Sequence, residues 1–210
     1  MTPEELKKKW ADVENEIEIA DIILVHKRKG PITTRIRKAT KSYWNHAAIV
    51  LKSKQTMPMG GPLIVEASFG GIEIHQMKKY ADRLDLYDFG VLRYPGISEK
   101  ERKTFVRNFI LSNLDVPYDY TRLLGLFLKP TLIKISPKIF LKFTKWMVHE
   151  DAFVCSTFVY KAYKKLGEGT KLSLPSAQQM YDDPYKTEEM HTPGDLASME
   201  ILKWVFNKRK

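Results

Sequence analysis

A chain of 210 residues with one cysteine cannot staple itself, so its fold must rest on a buried apolar core. That cysteine, Cys155, opens an amphipathic helix. In Ala152-Phe153-Val154-Cys155-Ser156-Thr157-Phe158-Val159-Tyr160-Lys161-Ala162-Tyr163, the apolar Val159, Ala162 and Leu166 follow the thiol at helical spacing, and Gly167 is a stop signal. One face of this helix is therefore buried, and its first turn carries the thiol. A helix N-terminus bears partial positive charge and favours the thiolate, which is the nucleophilic form. Taken alone, a free cysteine is more often a small core hydrophobe. Chemistry at Cys155 needs partners elsewhere in the chain.

The strand-like segments set the frame for those partners. Ile19-Ala20-Asp21-Ile22-Ile23-Leu24-Val25 reads as a buried strand. Trp44 to Lys52 and Leu63 to Ser68 read as two strands, joined by a loop holding Pro58, Gly60, Gly61 and Pro62. Gly71 to His75 and Asp88 to Tyr94 read as two more. A polar helix is expected from Pro3 to about Asn15, with Thr2 as cap. Lys27 to Lys41 reads as a basic loop. Ser98, with Glu101 placed for a capping box, starts a helix to about Leu114. The tail reads as loop-rich, with a short helix at Thr192-Pro193-Gly194-Asp195-Leu196. No repeat or domain boundary interrupts the chain, so one domain over residues 1–210 is expected.

On a strand, His46, Ala48 and Val50 share one face and Ala47, Ile49 and Leu51 the other. Glu66 lies in the apolar segment Leu63-Ile64-Val65-Glu66-Ala67-Ser68, where a carboxylate needs a partner if it is buried. If the two strands pair as a hairpin in even register, His46 and Glu66 meet on one face. The carboxylate would then orient the imidazole while its other nitrogen serves a thiol. Singly, His46 reads as a satisfied core histidine and Glu66 as a solvent-facing edge residue. Together with Cys155 they describe a nucleophile, a base and an orienter.

A strand histidine, a carboxylate twenty residues on and a late cysteine opening a helix resemble the circularly permuted NlpC-type papain-like cysteine hydrolases, the YaeF/YiiX-like group. The matching pieces are Asp21-Ile22-Ile23-Leu24, Asn45-His46-Ala47-Ala48-Ile49-Val50, Val65-Glu66-Ala67, Pro117-Tyr118-Asp119 and Cys155-Ser156-Thr157-Phe158-Val159-Tyr160. The resemblance implies an α+β fold, with a small antiparallel sheet packed against the cysteine helix. It also implies a role for Tyr118 as a donor to the tetrahedral oxyanion, beside the Cys155 backbone N–H. Tyr120 is the competing assignment, and a plain turn residue is the bland one. Ala20-Asp21 departs from the Gly-Asp of many relatives, which bears on a turn and not on the chemistry.

Residues 121–148 form a basic, apolar insertion. They carry Arg122, Lys129, Lys134, Lys138, Lys142 and Lys145 and no acidic residue, with Pro130 and Pro137 dividing the stretch. Lysine at this density argues against a membrane span, and cationic amphipathic helices suit a membrane interface. A core face with a solvated lysine rim is an equal reading. The resemblance tilts toward lipid, because permuted relatives include the lecithin:retinol acyltransferase-like enzymes. The net charge of +10 favours an acidic partner, anionic lipid headgroups or nucleic acid. No nucleic-acid-binding motif accompanies the charge, so nucleic acid is disfavoured.

No phosphate-binding glycine loop, His-Glu-x-x-His or Cys-x-x-Cys is present, and no cofactor is expected. His46, Glu66, His75 and Cys155 match no usual zinc spacing, so no metal is expected. His26, His149 and His191 stand isolated and read as surface residues. No apolar signal region opens the chain and no run is long enough to span a bilayer. A cytoplasmic or peripheral-membrane protein is expected, a cleaved export signal aside. The reading is a thiol hydrolase or acyltransferase acting on a peptide, an amino-acid amide or a lipid acyl group. Its catalytic residues are Cys155, His46, Glu66 and Tyr118. The rival is a catalytically idle lipid- or peptide-binding module on the same fold. Oligomeric state is not legible in the sequence.

Overall fold

In the computed structural model, which describes residues 3–56, 60–68, 70–114, 116–117, 136, 154–167 and 191–207, the apolar run Ile22-Ile23-Leu24-Val25 becomes a central strand. This strand, β1 (Ile22–Lys27), lies in an antiparallel sheet with β2 (His46–Lys52), β3 (Leu63–Ser68), β4 (Gly71–Gln76), β5 (Tyr87–Arg93) and β6 (Lys203–Asn207). The six strands run in the order β4-β3-β2-β1-β5-β6. Val25 of β1 stands opposite His46 on one side and Phe89 on the other. The helices of the described residues are α1 (Pro3–Glu16), α2 (Pro31–Thr40), α3 (Lys78–Ala81), α4 (Glu99–Phe105), α5 (Cys155–Gly167) and α6 (Pro193–Ser198).

An unbroken apolar run, rather than an alternating one, marks a strand covered on both faces, and β1 is one. On one face Ile22, Leu24, Ala47, Ile49, Val65 and Ala67 pack with Phe158, Val159 and Ala162 of α5. On the other, Ile23, Val25, Ala48, Val50 and Ile64 pack with Val13 of α1, with Ile17, and with Met77 and Tyr80 around α3. Each fully buried Ile, Leu or Val contributes roughly 2 kcal/mol, so two such cores hold the sheet without a disulfide.

A polar node fixes α5 against the sheet. Asp21, fully buried before β1, receives Arg93 Nε at 2.8 Å and Nη2 at 2.7 Å, and the Glu18 backbone N–H at 2.8 Å. Arg102 of α4 adds donors to the carbonyls of Ile19 (3.1 Å) and Tyr94 (2.9 Å). From α5, the Tyr163 hydroxyl donates to the Ala20 carbonyl. Ala20 holds a left-handed φ of 68°, the turn at which the sequence departs from Gly-Asp.

Several local expectations are corrected. The basic segment after β1 is not a loop, because it contains α2. Pro31 occupies its first turn, Thr33 Oγ1 bonds back to the Gly30 carbonyl at 3.0 Å, and Lys41 closes it at φ 51°. The Ser98 and Glu101 side chains bond each other's backbone N–H, at 3.3 and 2.7 Å, as a capping box. The helix they start does not stay regular to Leu114. After α4 it widens into a π turn at Val106–Ile110 and tightens into a 3₁₀ turn at Leu111–Asn113. The tail contributes β6, which pairs with β5. His26 and His191 are buried, not surface residues. The His26 ring stacks on Tyr43 and its Nδ1 bonds the Tyr43 carbonyl at 2.6 Å, while His191 stacks on Tyr160 of α5. His149 lies outside the described residues. Among the described residues, no helix is long and apolar enough to cross a membrane.

Candidate active site

β2 and β3 pair with Ile49 opposite Val65 and Val50 opposite Ile64. Continuing that register sets Glu66 opposite Ala48 and diagonal to His46, so both side chains leave the same face. Glu66 is fully buried there, and His46 Nε2 lies 2.5 Å from its Oε2. Cys155 begins the helix that covers the opposite face. His46, the first residue of β2, bridges the two at the end of the strand and hydrogen-bonds both Glu66 and Cys155. Nε2 serves the carboxylate, which leaves Nδ1 for the thiol.

The sulfur has further donors. The backbone N–H groups of Ala47 and Ser156 point to it, the latter one of the unpaired amides of a helix first turn. Ser156 itself is anchored, its Oγ donating to the His191 carbonyl at 2.6 Å. Burial pushes the Cys155 thiol pKa up, but the His46 cation and these N–H groups outweigh it and leave it below its ordinary value. Burial likewise opposes a charged His46, yet the negative charges of Cys155 and Glu66 prevail and raise its pKa to about 10. The pair therefore favours thiolate and imidazolium. For Glu66, desolvation is overcome by His46, Lys79 and Tyr80, which together hold the carboxyl well below the usual range.

The sequence model of the family described as "permuted papain-like amidase enzyme, YaeF/YiiX, C92 family" matches residues 17–123, just over half of the chain. The chain belongs to this family. Its function is accordingly of the cysteine hydrolase type. A solved structure described as the metalloprotein yiiX from Escherichia coli O157:H7 matches 91% of this chain and 97% of that one, with a TM-score of 0.58 and 19% identity. At that identity the likeness speaks to the fold, a permuted papain-like α+β arrangement with the cysteine helix on an antiparallel sheet. No curated protein matches the chain.

Among the described residues, no group of three His, Cys, Asp or Glu is arranged to hold a metal ion. The donor chemistry agrees, since Lys79 Nζ sits 2.6 Å from Glu66 Oε1 and would repel a cation there. Tyr118, Tyr120 and, Ser136 apart, residues 121–148 lie outside the described residues. Pro117, just before Tyr118, is described. The Val116 carbonyl accepts the Ile72 N–H at 3.3 Å, which places this segment at the start of β4, the His46 end of the sheet.

Three neighbours of Glu66 were not anticipated from sequence. Lys79 and Tyr80 of α3 reach its two oxygens, each at 2.6 Å. His75 of β4 stands 3.6 Å from Oε1 and 3.3 Å from Glu73 Oε2. The available signal was indirect: a glutamate among apolar residues must find donors, and the nearest candidates follow the next strand.

Proposed function

We propose that the protein is a thiol amidase in which Cys155 attacks the carbonyl of a peptide or amino-acid amide. The Cys155 thiolate adds to the carbonyl carbon, and the oxyanion forms beside the Cys155 backbone N–H at the start of α5. Tyr118 is assigned as the second donor on the sequence resemblance alone. His46 delivers its proton from Nδ1 to the leaving amine, which breaks the C–N bond and leaves an acyl thioester on Cys155. Water, deprotonated by the same nitrogen, then releases the acid and restores the thiol. Glu66 fixes the ring through Nε2 and stabilises the imidazolium. The observation that carries this reading is that the His46 ring hydrogen-bonds both Glu66, through Nε2, and Cys155. An acyl acceptor other than water would turn the same intermediate toward transfer.

The test is turnover of a panel of aminoacyl and peptidyl amides by the intact chain. Cys155→Ala should abolish turnover with the fold unchanged, His46→Ala should do nearly as much, and Glu66→Gln should lose less. Turnover that survives Cys155→Ala would overturn the reading and leave the idle binding module in its place.

A second reading, that the site works against an anionic surface such as a lipid headgroup layer, is supported by α2. Between residues 22 and 65 the chain has no acidic residue. Arg35, Lys38 and Lys41 recur at threefold spacing and are all exposed. α2 lies in the connection between Lys27, which ends β1, and His46, which begins β2, so this stripe stands at the active-site end of the sheet.

A further inference from the structure

The Glu66 carboxylate is fully buried, yet both of its oxygens are engaged. Oε2 lies 2.5 Å from His46 Nε2 and 2.6 Å from the Tyr80 hydroxyl, and Oε1 accepts from Lys79 Nζ at 2.6 Å. Lys79 and Tyr80 are consecutive on α3, a single turn held under the sheet by Met77, which is itself fully buried. We propose that Lys79 and Tyr80 are positioning residues of the active site, a two-residue clamp that holds Glu66 in the orientation and charge state His46 needs. The proposal rests on the triad reading above and deepens it.

The argument is one of geometry and of timing. A carboxylate bound only to His46 would be free to rotate about its last bond. With donors on both oxygens, that rotation breaks at least two hydrogen bonds. Tyr80 is buried, packed against the His46 ring at 6.5 Å and the Tyr87 ring at 5.1 Å, so its hydroxyl has little freedom to follow. Lys79 does a different task. In the proposed cycle His46 is a cation before attack and neutral after it has protonated the leaving amine. At that moment a buried Glu66 would lose its principal counter-charge and tend to take up a proton. Lys79 Nζ holds Oε1 at 2.6 Å by a contact that does not involve the His46 ring. The lysine side chain is 39% exposed, so its own desolvation is partial. Beside the carboxylate stand His75 and Glu73 on β4, while Cys155 on α5 and Tyr87 on β5 act on the Tyr80 hydroxyl. His75 is nearer to Glu73 than to Glu66 and stays partly exposed, so it does not replace the lysine.

Cys155 is the chain's one thiol, so its alkylation by iodoacetamide reports a single site without any substrate. The rate should be followed against pH for the full chain, for Lys79→Met, Lys79→Arg and Tyr80→Phe, and for His46→Ala as reference. Loss of the Lys79 charge weakens the thiolate whether Glu66 stays ionised or takes up a proton. Lys79→Met should therefore move the acid limb up by about one pH unit, a tenfold slower reaction on that side. Lys79→Arg should return it, and Tyr80→Phe should move it the same way by less. A role confined to stability would lower the melting temperature and leave the limb in place. If His46→Ala shifts the limb but neither Lys79→Met nor Tyr80→Phe does, the clamp is wrong and the triad stands. If His46→Ala leaves it unmoved, the triad reading fails and takes the clamp with it. Should Lys79→Met not fold, Tyr80→Phe, which only removes one oxygen, decides.

Discussion

The proton that matters at this site is shared between Cys155 and His46, and each side of their pH window has its own owner. The Cys155 pKa is depressed, so the thiolate is present above that value and is lost as pH falls through it. The His46 pKa is raised to about 10, so the imidazolium is present below that value and is lost as pH rises through it. Amide turnover should therefore plateau between the two and fall on both sides, with the acid limb below the ordinary thiol range near 8.5. Ultraviolet titration of the thiolate checks the acid side independently of substrate. A Cys155 that titrates in the ordinary range in the intact protein would contradict the pairing. Ala20 offers a second residue-scale test. Its left-handed φ costs about 1–2 kcal/mol for a residue with a Cβ. Glycine relieves that cost but forfeits a buried methyl, about 0.8 kcal/mol, and adds backbone freedom to the unfolded chain, about 0.5–1 kcal/mol. Ala20→Gly should thus lie within about 1 kcal/mol of neutral in denaturant unfolding. A larger change in either direction would show that the turn is governed by something other than these three effects.

Among the elements, β5 is the one whose packing is most sharply dictated by a single position. A Cβ at Gly90 would sit 2.6 Å from Trp204 Cζ3 and 3.2 Å from Trp44 Cη2, where the two indoles pack at 5.8 Å. Gly90→Ala should destabilise by about 1–3 kcal/mol through overpacking, and the tryptophan fluorescence should change with it. Adding Trp204→Phe should recover part of the loss, because it removes the closest atom. Loss of the same size in the double variant would mean that the clash is with the backbone carbonyl of Phe206 instead. The elements also differ in how far they can be read in advance. β1, β2 and β3 were legible because apolar runs and alternation are local, and the same alternation sets His46 and Glu66 on one face. α2 reads as a loop because its threonines weaken helix propensity, although Pro31 is a helix start signal. α3 is one turn long and carries no periodicity, so Lys79 and Tyr80 gave no sign of their proximity to Glu66. β6 depends on pairing with β5, more than a hundred residues earlier in the chain. His26 and His191 looked isolated because His26 bonds a distant carbonyl and both stack on rings remote in sequence. Tyr118 and, Ser136 apart, residues 121–148 lie outside the described residues.

At the scale of the molecule, the net charge of +10 is unevenly placed. Within the acid-free span from residue 22 to 65, residues 28–45, which include α2, form the connection at the end of the sheet where His46 begins β2. Arg28 in this span is matched by Asp88 at 2.9 Å. Among the described residues, Arg35, Lys38 and Lys41 have no ion-pair partner. A cation held near an anionic bilayer contributes about 1 kcal/mol, and the attraction decays over a Debye length of about 8 Å at physiological salt. The stripe on α2 is therefore expected to add roughly 3 kcal/mol to binding at a charged surface and almost nothing at a neutral one. Vesicles of zwitterionic lipid and of zwitterionic lipid mixed with phosphatidylserine separate the two. The intact chain should bind the second preferentially, and added salt should weaken that binding. Neutralising Arg35 and Lys38 to glutamine removes two exposed charges, which converts to a loss of about thirtyfold in affinity. Thiol alkylation of Cys155 should be unaltered in this double variant, because neither Arg35 nor Lys38 is among the groups that contact Cys155, His46 or Glu66. Equal binding to both vesicle types, or binding that survives the double substitution, would remove the anionic-surface reading while leaving the amidase proposal untouched.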